Sequence, residues 1–153
     1  LQGVGLVVGL KGTGDGDSKP VARALSRMLS LLGAPIAADV QGQLQLAEVS
    51  DAKNVAMVIV TATVPSGGAQ PGDMLDCTIS AIKAKSIEGG QLLLTPLVGP
   101  RSDNPTPYAL ASGPITIESA SIPTSGKVSR GCKMELAVQT NYVENNRFTL
   151  ILA

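Results

Sequence analysis

KNVAMVIVTATVP, residues 53–65, decides the fold class. Apolar residues fill both alternating sets of this run: Ala56, Val58 and Val60 on one, Val55, Met57 and Ile59 on the other. A short apolar run, rich in β-branched residues and closed by Pro65, is a strand and not a helix. Apolar on both sets, it reads as a central strand covered on both faces. Downstream, residues 74–83 alternate. Leu75, Cys77, Ile79 and Ala81 face one way and Asp76, Thr78 and Ser80 the other, the pattern of a half-buried strand. Upstream, VGLVVGL at 4–10 reads as a buried strand. Segments 91–97, 107–111, 114–120, 132–139 and 147–152 are further strand candidates. Pro/Gly/Ser-rich turns at 65–72, 99–107 and 123–126 separate several of them.

One segment breaks the period of two. Val21, Ala24, Leu25, Met28 and Leu32 recur at helical spacing, so residues 19–32 read as an amphipathic helix. Ser18 is placed to cap it, and Pro20 is tolerated in its first turn. Gly33 suits the left-handed position that ends a helix, and Pro35 prevents continuation. The expected class is therefore α+β, mainly antiparallel strands with one amphipathic helix near 19–32. Residues 1–122 form the expected core. Residues 123–153 supply further strands, continuous with it or adjoining it.

Composition narrows the function. With 44% hydrophobic and 16% charged residues the chain can bury a core, so it is not a disordered one. Two tyrosines, one phenylalanine and no tryptophan leave that core to Val, Leu, Ile and Ala, and leave no base-stacking platform. Twelve basic and twelve acidic side chains cancel, so no net field attracts nucleic acid. No apolar run approaches the ~18–20 residues of a membrane-spanning helix. The chain begins inside a motif at Leu1 and ends on the apolar run TLILA, and both ends read as processing boundaries.

Reaction chemistry finds little support. The absence of histidine removes Ser-His-Asp and Cys-His arrangements. KGTGDGD, residues 11–17, sits between a strand and a helix, where phosphate loops occur. It lacks GK[ST], and Asp15 and Asp17 would repel a phosphate. Asp15, Asp17 and Ser18 offer oxygens to Ca²⁺ but lack the rest of a ligand series. The loop reads as a tight structural turn, and no cofactor or metal is assigned. Asp73 and Asp76, three apart on a strand, point to opposite faces. Met28, Met57, Met74 and Met134 read as core filler. Cys77 and Cys132 read as structural thiols, with a disulfide as the alternative in an oxidising compartment. Lys53, at the mouth of the apolar strand, and Lys83 and Lys85, two apart on one strand face, are the side chains of interest. If their strand ends meet, they make a basic patch on a neutral protein, suited to an acidic partner.

Four segments carry a further signal: GVGLVVGLKGTGD (3–15), KNVAMVIVTATVP (53–65), AKSIEGGQLLLTPL (84–97) and YALASG (108–113). In this order they resemble the bacterial flagellar P-ring protein family, closely over about 1–118 and more loosely over 127–150. Ile82-Lys83 departs from the family's usual Gly-Asp or Gly-Asn. The resemblance implies a non-enzymatic structural subunit in the periplasm. Such a subunit assembles with copies of itself into a ring, a bushing around the flagellar rod in the basal body that supports motility. It implies as partners the rod protein, a dedicated chaperone, the L ring and peptidoglycan. Lysines matching Lys53 and Lys85 are implicated there in building the ring on an acidic rod surface. Part of the family's mature chain falls outside the resemblance, so a monomer or weak dimer is expected of this piece. The alternative is a periplasmic module binding peptidoglycan or another polysaccharide, against which the scarcity of aromatics counts.

Overall fold

The computed structural model describes residues 1–15, 19–31, 33, 53–100 and 106–139. They form strand β1 (Gln2–Val8), helix α1 (Lys19–Leu31) and strands β2 (Ala56–Ala62), β3 (Met74–Ala81), β4 (Gln91–Val98), β5 (Pro107–Pro114) and β6 (Ser125–Met134). The strands close into a barrel in the order β1-β2-β3-β6-β5-β4, with every pairing antiparallel. The fold is thus mainly antiparallel β with one helix, as expected. The closure goes further than the strand pattern alone indicates.

The barrel interior is the core. Val7 of β1, Val58 and Val60 of β2, Cys77 and Ile79 of β3, Leu92 and Leu97 of β4, Ala109 and Ala111 of β5, and Cys132 and Met134 of β6 are all buried there. Small and branched side chains fill a barrel of this size with no large aromatic, since opposite walls already stand close. A second, smaller cluster lies outside the wall. There Val21, Ala24, Leu25 and Met28 of α1 pack on Leu6, Val55 and Met57. The helical stripe is therefore the one the spacing implies. Gly33 takes φ +82°, the left-handed ending its position suggests. Ser18, Leu32 and Pro35 lie outside the described residues.

Several local expectations need correction. β2 is not covered on both faces. Its inward set, Ala56, Val58, Val60 and Ala62, is buried, but on its outer face only Met57 is sheltered by α1, while Ile59 is 40% exposed. β1 is enclosed from both sides only at its end, with Val7 inward and Leu6 under the helix, and the expected buried strand over 4–10 is open at Val4, which is 61% exposed. Its glycines allow close packing on β4: a Cβ on Gly5 would lie 2.3 Å from Thr95 Oγ1. β5 ends at Pro114, and beyond it only Thr116 bridges, to Lys127. Of 132–139, Cys132–Met134 belong to β6 and Val138 makes an isolated bridge to Ala69. The candidate at 147–152 lies outside the described residues. Met74 is 42% exposed and fills no core.

β6 begins at Ser125 and stands between β3 and β5. Its register slips along β3: Leu75 pairs with Cys132 but Cys77 with Val128, so two steps on β3 face four on β6. Arg130 sits in the bulge at φ +51°, a left-handed conformation costly for a side chain. Asp76 holds the bulge. One carboxylate oxygen accepts the Arg130 N–H at 2.7 Å and the other meets Lys127 Nζ at 2.8 Å. Cys77 and Cys132 are free, buried thiols on adjacent strands.

Candidate functional site

The chain leaving β1 folds across one end of the barrel. Leu10 N donates to Asn54 O at 3.1 Å and Gly12 N to Asn54 Oδ1 at 3.2 Å. Gly14 N donates to Lys53 O at 2.8 Å, and Asp15 N to Val55 O at 2.8 Å. On its other side the same loop receives the turn after β3. Lys85 N donates to Thr13 O at 2.9 Å, and Thr13 Oγ1 donates to Ser86 O at 2.8 Å. Thr13 O and Gly14 N belong to one peptide unit. A single peptide plane therefore separates the backbones of Lys53 and Lys85, which lie 32 residues apart in sequence.

This arrangement explains the glycine-rich loop. A Cβ on Gly14 would lie 2.2 Å from Val55 O and 2.8 Å from Lys53 O, so only glycine lets the loop seat on the start of β2. Asp15 is buried, and its Oδ2 accepts the Met57 N–H at 3.1 Å. Through Oδ2 that carboxylate fastens the loop to β2, while its buried Oδ1 has no hydrogen-bond partner among the described residues. Asp17 and Ser18 lie outside the described residues. Among the described residues no group of three or more His, Cys, Asp or Glu side chains is placed to hold a metal ion.

Lys53, Lys83 and Lys85 are all exposed. Lys83 and Lys85 do not share a strand face, because β3 ends at Ala81 and both stand in the turn that follows. They flank the buried Ala84, which anchors the turn and leaves both side chains in solvent. Sequence reasoning missed Lys11. It is exposed and sits between the two anchors that tie Leu10 and Gly12 to Asn54, beside Lys53. The signal was present as the first residue of KGTGDGD, a loop weighed only for its glycines and aspartates. The ion pairs among the described residues are Lys127–Asp76 and Lys133–Glu135, and neither uses these four lysines. The acidic side chains nearby in sequence among the described residues are Glu88, exposed on the adjoining turn, and the buried Asp15.

Elsewhere the titratable groups serve the wall. The Lys127 hydrogen bond, with that from Arg130 N, holds the Asp76 carboxyl below its usual range, and Asp76 in turn raises Lys127. Burial, with Cys132 and Asp76 nearby, pushes the Cys77 thiol up to about 11, and burial also raises Cys132. Such thiols are unreactive at neutral pH. Asp73 stands before β3 and accepts the Gln70 N–H at 2.7 Å in a turn, so it is not paired with Asp76.

The described residues form a closed antiparallel barrel with Lys11, Lys53 and Lys85 carried at one end on loops tied together by backbone hydrogen bonds. The family model described as flagellar P-ring protein matches residues 1–153. The chain is 36% identical over 165 residues to Flagellar P-ring protein 1 of Cereibacter sphaeroides, covering 99% of this chain and 41% of that relative. It is 39% identical over 157 residues to the Flagellar P-ring protein of Bdellovibrio bacteriovorus, covering 99% and 43%. It is 38% identical over 155 residues to that of Helicobacter hepaticus, covering 99% and 40%. The chain belongs to the flagellar P-ring protein family, and it spans about two fifths of the length of the curated relatives it matches.

Proposed function

We propose that this chain is part of a structural subunit of the flagellar P ring, a periplasmic bushing around the rod of the basal body, and that it has no enzymatic role. Family membership over the whole chain supports the ring assignment. Lys53 and Lys85 contact the acidic rod surface, with Lys83 beside them. The observation that carries this contact is the single Thr13–Gly14 peptide unit between Lys53 and Lys85. Two cations fixed this close by backbone bonds, with solvated side chains, raise encounter rate and fix orientation toward an acidic surface. A bushing also needs stiffness, which a closed barrel without free edges supplies. Ring closure by copies of the full-length protein uses heterologous contacts. The chaperone, the L ring and peptidoglycan are the remaining partners in this reading.

The test uses full-length protein carrying Lys53→Asp, Lys85→Asp or both. Isolated basal bodies are examined by electron microscopy and protein levels by immunoblot. Each single change is expected to lower the number of P rings, and the double change to lower it further, at wild-type protein levels. Normal ring numbers in the double variant would remove the lysines from assembly. A soluble full-length protein that binds peptidoglycan fragments without forming rings would instead favour a polysaccharide-binding module.

A further inference from the structure

We propose that Lys11 is a third cationic contact of this end, so that an acidic partner surface is met by a triangle of Lys11, Lys53 and Lys85 and not by a pair. The inference rests on the rod-contact reading above and extends it to a residue outside that reading. Three observations carry it. Leu10 and Gly12, on either side of Lys11, are both bonded to Asn54, at 3.1 and 3.2 Å, so the position of Lys11 is set by the residue next to Lys53. Gly12 takes φ +78°, which turns the chain sharply after Lys11 and brings Thr13 and Gly14 back between Lys53 and Lys85. Lys11 is exposed and, among the described residues, has no ion-pair partner, in contrast to Lys127 and Lys133 on the barrel wall. One loop thus places its own cation and spaces the other two. The partner chemistry that fits is a surface with several carboxylates within a side chain's reach of one another, as on an acidic protein face. A lone carboxylate would use only part of the triangle.

The experiment measures association of the full-length protein with surface-immobilised poly-L-glutamate over a salt series. The variants are Lys11→Gln, Lys11→Arg, Lys53→Gln and Lys85→Gln. Lys133→Gln, which removes a cation paired with Glu135 on the wall, is the control. Lys11→Gln should slow association by roughly 2–5-fold at low salt, as Lys53→Gln and Lys85→Gln do. The gap should close as salt rises, because exposed charges are screened within about 3 Å at 1 M. Lys11→Arg should keep the wild-type rate, and Lys133→Gln should not move it. If Lys11→Gln matches Lys133→Gln while the other two lose rate, the triangle is wrong and the pair stands. If none of the variants changes the rate, the triangle falls together with the charge-based reading beneath it. If Lys133→Gln loses as much as the other three, the attraction is diffuse and the triangle falls alone.

Discussion

The two ends of the barrel differ in what they present to solvent. At the lysine end, the loop of Leu10–Asp15 crosses the opening and is sewn to both neighbouring turns by backbone hydrogen bonds. At the other end, an apolar opening of about 440 Å³ is lined by Thr61, Ala62, Val64, Tyr108 and Val138. Backbone bonds cross the second end too, Ala69 with Val138 at 2.9 and 2.8 Å, but there they leave an apolar opening, so one end presents charge and the other hydrocarbon. Backbone bonding fixes positions to within a few tenths of an ångström and cannot easily be repacked. Apolar side chains around an opening can shift rotamers at small cost. The lysine end should therefore be the less forgiving of the two.

The largest contrast is expected from the residues that close each end. Ile87 is fully buried behind the lysine turn, where its N–H donates to Pro123 O at 2.9 Å. Ile87→Ala should cost about 2–5 kcal/mol, through lost burial and a residual cavity. Val64→Ala, on a half-buried residue of the apolar opening, should cost roughly 1 kcal/mol. Urea unfolding of both variants measures the difference, and equal losses would break the comparison.

A smaller contrast comes from adding one methyl group at each end. Gly14→Ala presses a Cβ onto the carbonyl oxygens of Lys53 and Val55, on the segment leading into β2, and should cost about 1–3 kcal/mol. A Cβ on Gly99 first meets Tyr108 Cε2, at 3.2 Å. That ring borders the open cavity and can swing, so Gly99→Ala should stay within about 0.5 kcal/mol. If Gly99→Ala proves the costlier change, the opening is as rigid as the loop.

How much of this was legible in the sequence follows from what each element depends on. β3 and α1 could be read because their burial depends only on local period: Ile79 lies inward two steps after Cys77, and Met28 follows Leu25 down one helical face. β6 was legible only at its end, because Arg130 in a left-handed bulge breaks the alternation between Val128 and Cys132. β2 misled, because the apolar character of Ile59 implied a cover that α1 does not extend to. Closure of β1 on β4 is a long-range pairing that no local pattern encodes. The lysines were legible as residues but not as a site. Their meeting depends on Gly14 approaching Lys53 O, and the role of Lys11 depends on two bonds to Asn54.

Between the two ends, the wall itself should respond to pH. Asp76 is depressed in the folded state, so its contribution is present at neutral pH and is lost as pH falls through its folded value, below the usual carboxylate range. Lys127 is raised, so its share is lost only at strongly alkaline pH. The Cys77 thiol is also raised, to about 11, so its contribution declines as pH climbs from its ordinary value toward that figure. The expected profile is a plateau through neutrality with a drop on each side. Asp76→Asn should shrink the acid limb, and Cys77→Ser the alkaline one. Because the Asp76–Lys127 pair is solvated, the acid limb should be shallow. An acid limb unchanged in Asp76→Asn would assign it to other carboxylates.

The smallest stability effect is expected where the functional effect is placed. Lys53 and Lys85 are exposed and make no ion pair among the described residues. Their backbone groups, not their ammonium groups, hold the loop: Lys53 through its carbonyl and Lys85 through its N–H. An aspartate at either position keeps both bonds. Lys53→Asp and Lys85→Asp should therefore each change unfolding free energy by no more than about 0.5 kcal/mol. The direction at low salt should be slightly stabilising, since each single reversal replaces repulsion between neighbouring cations with attraction. The shift should fade as the Debye length contracts to about 8 Å at 0.15 M salt. Denaturant midpoints at two salt concentrations read both sign and screening. A loss well above 1 kcal/mol would mean that the lysine stems pack on the barrel end as structural hydrocarbon, and the two ends would then differ only in degree.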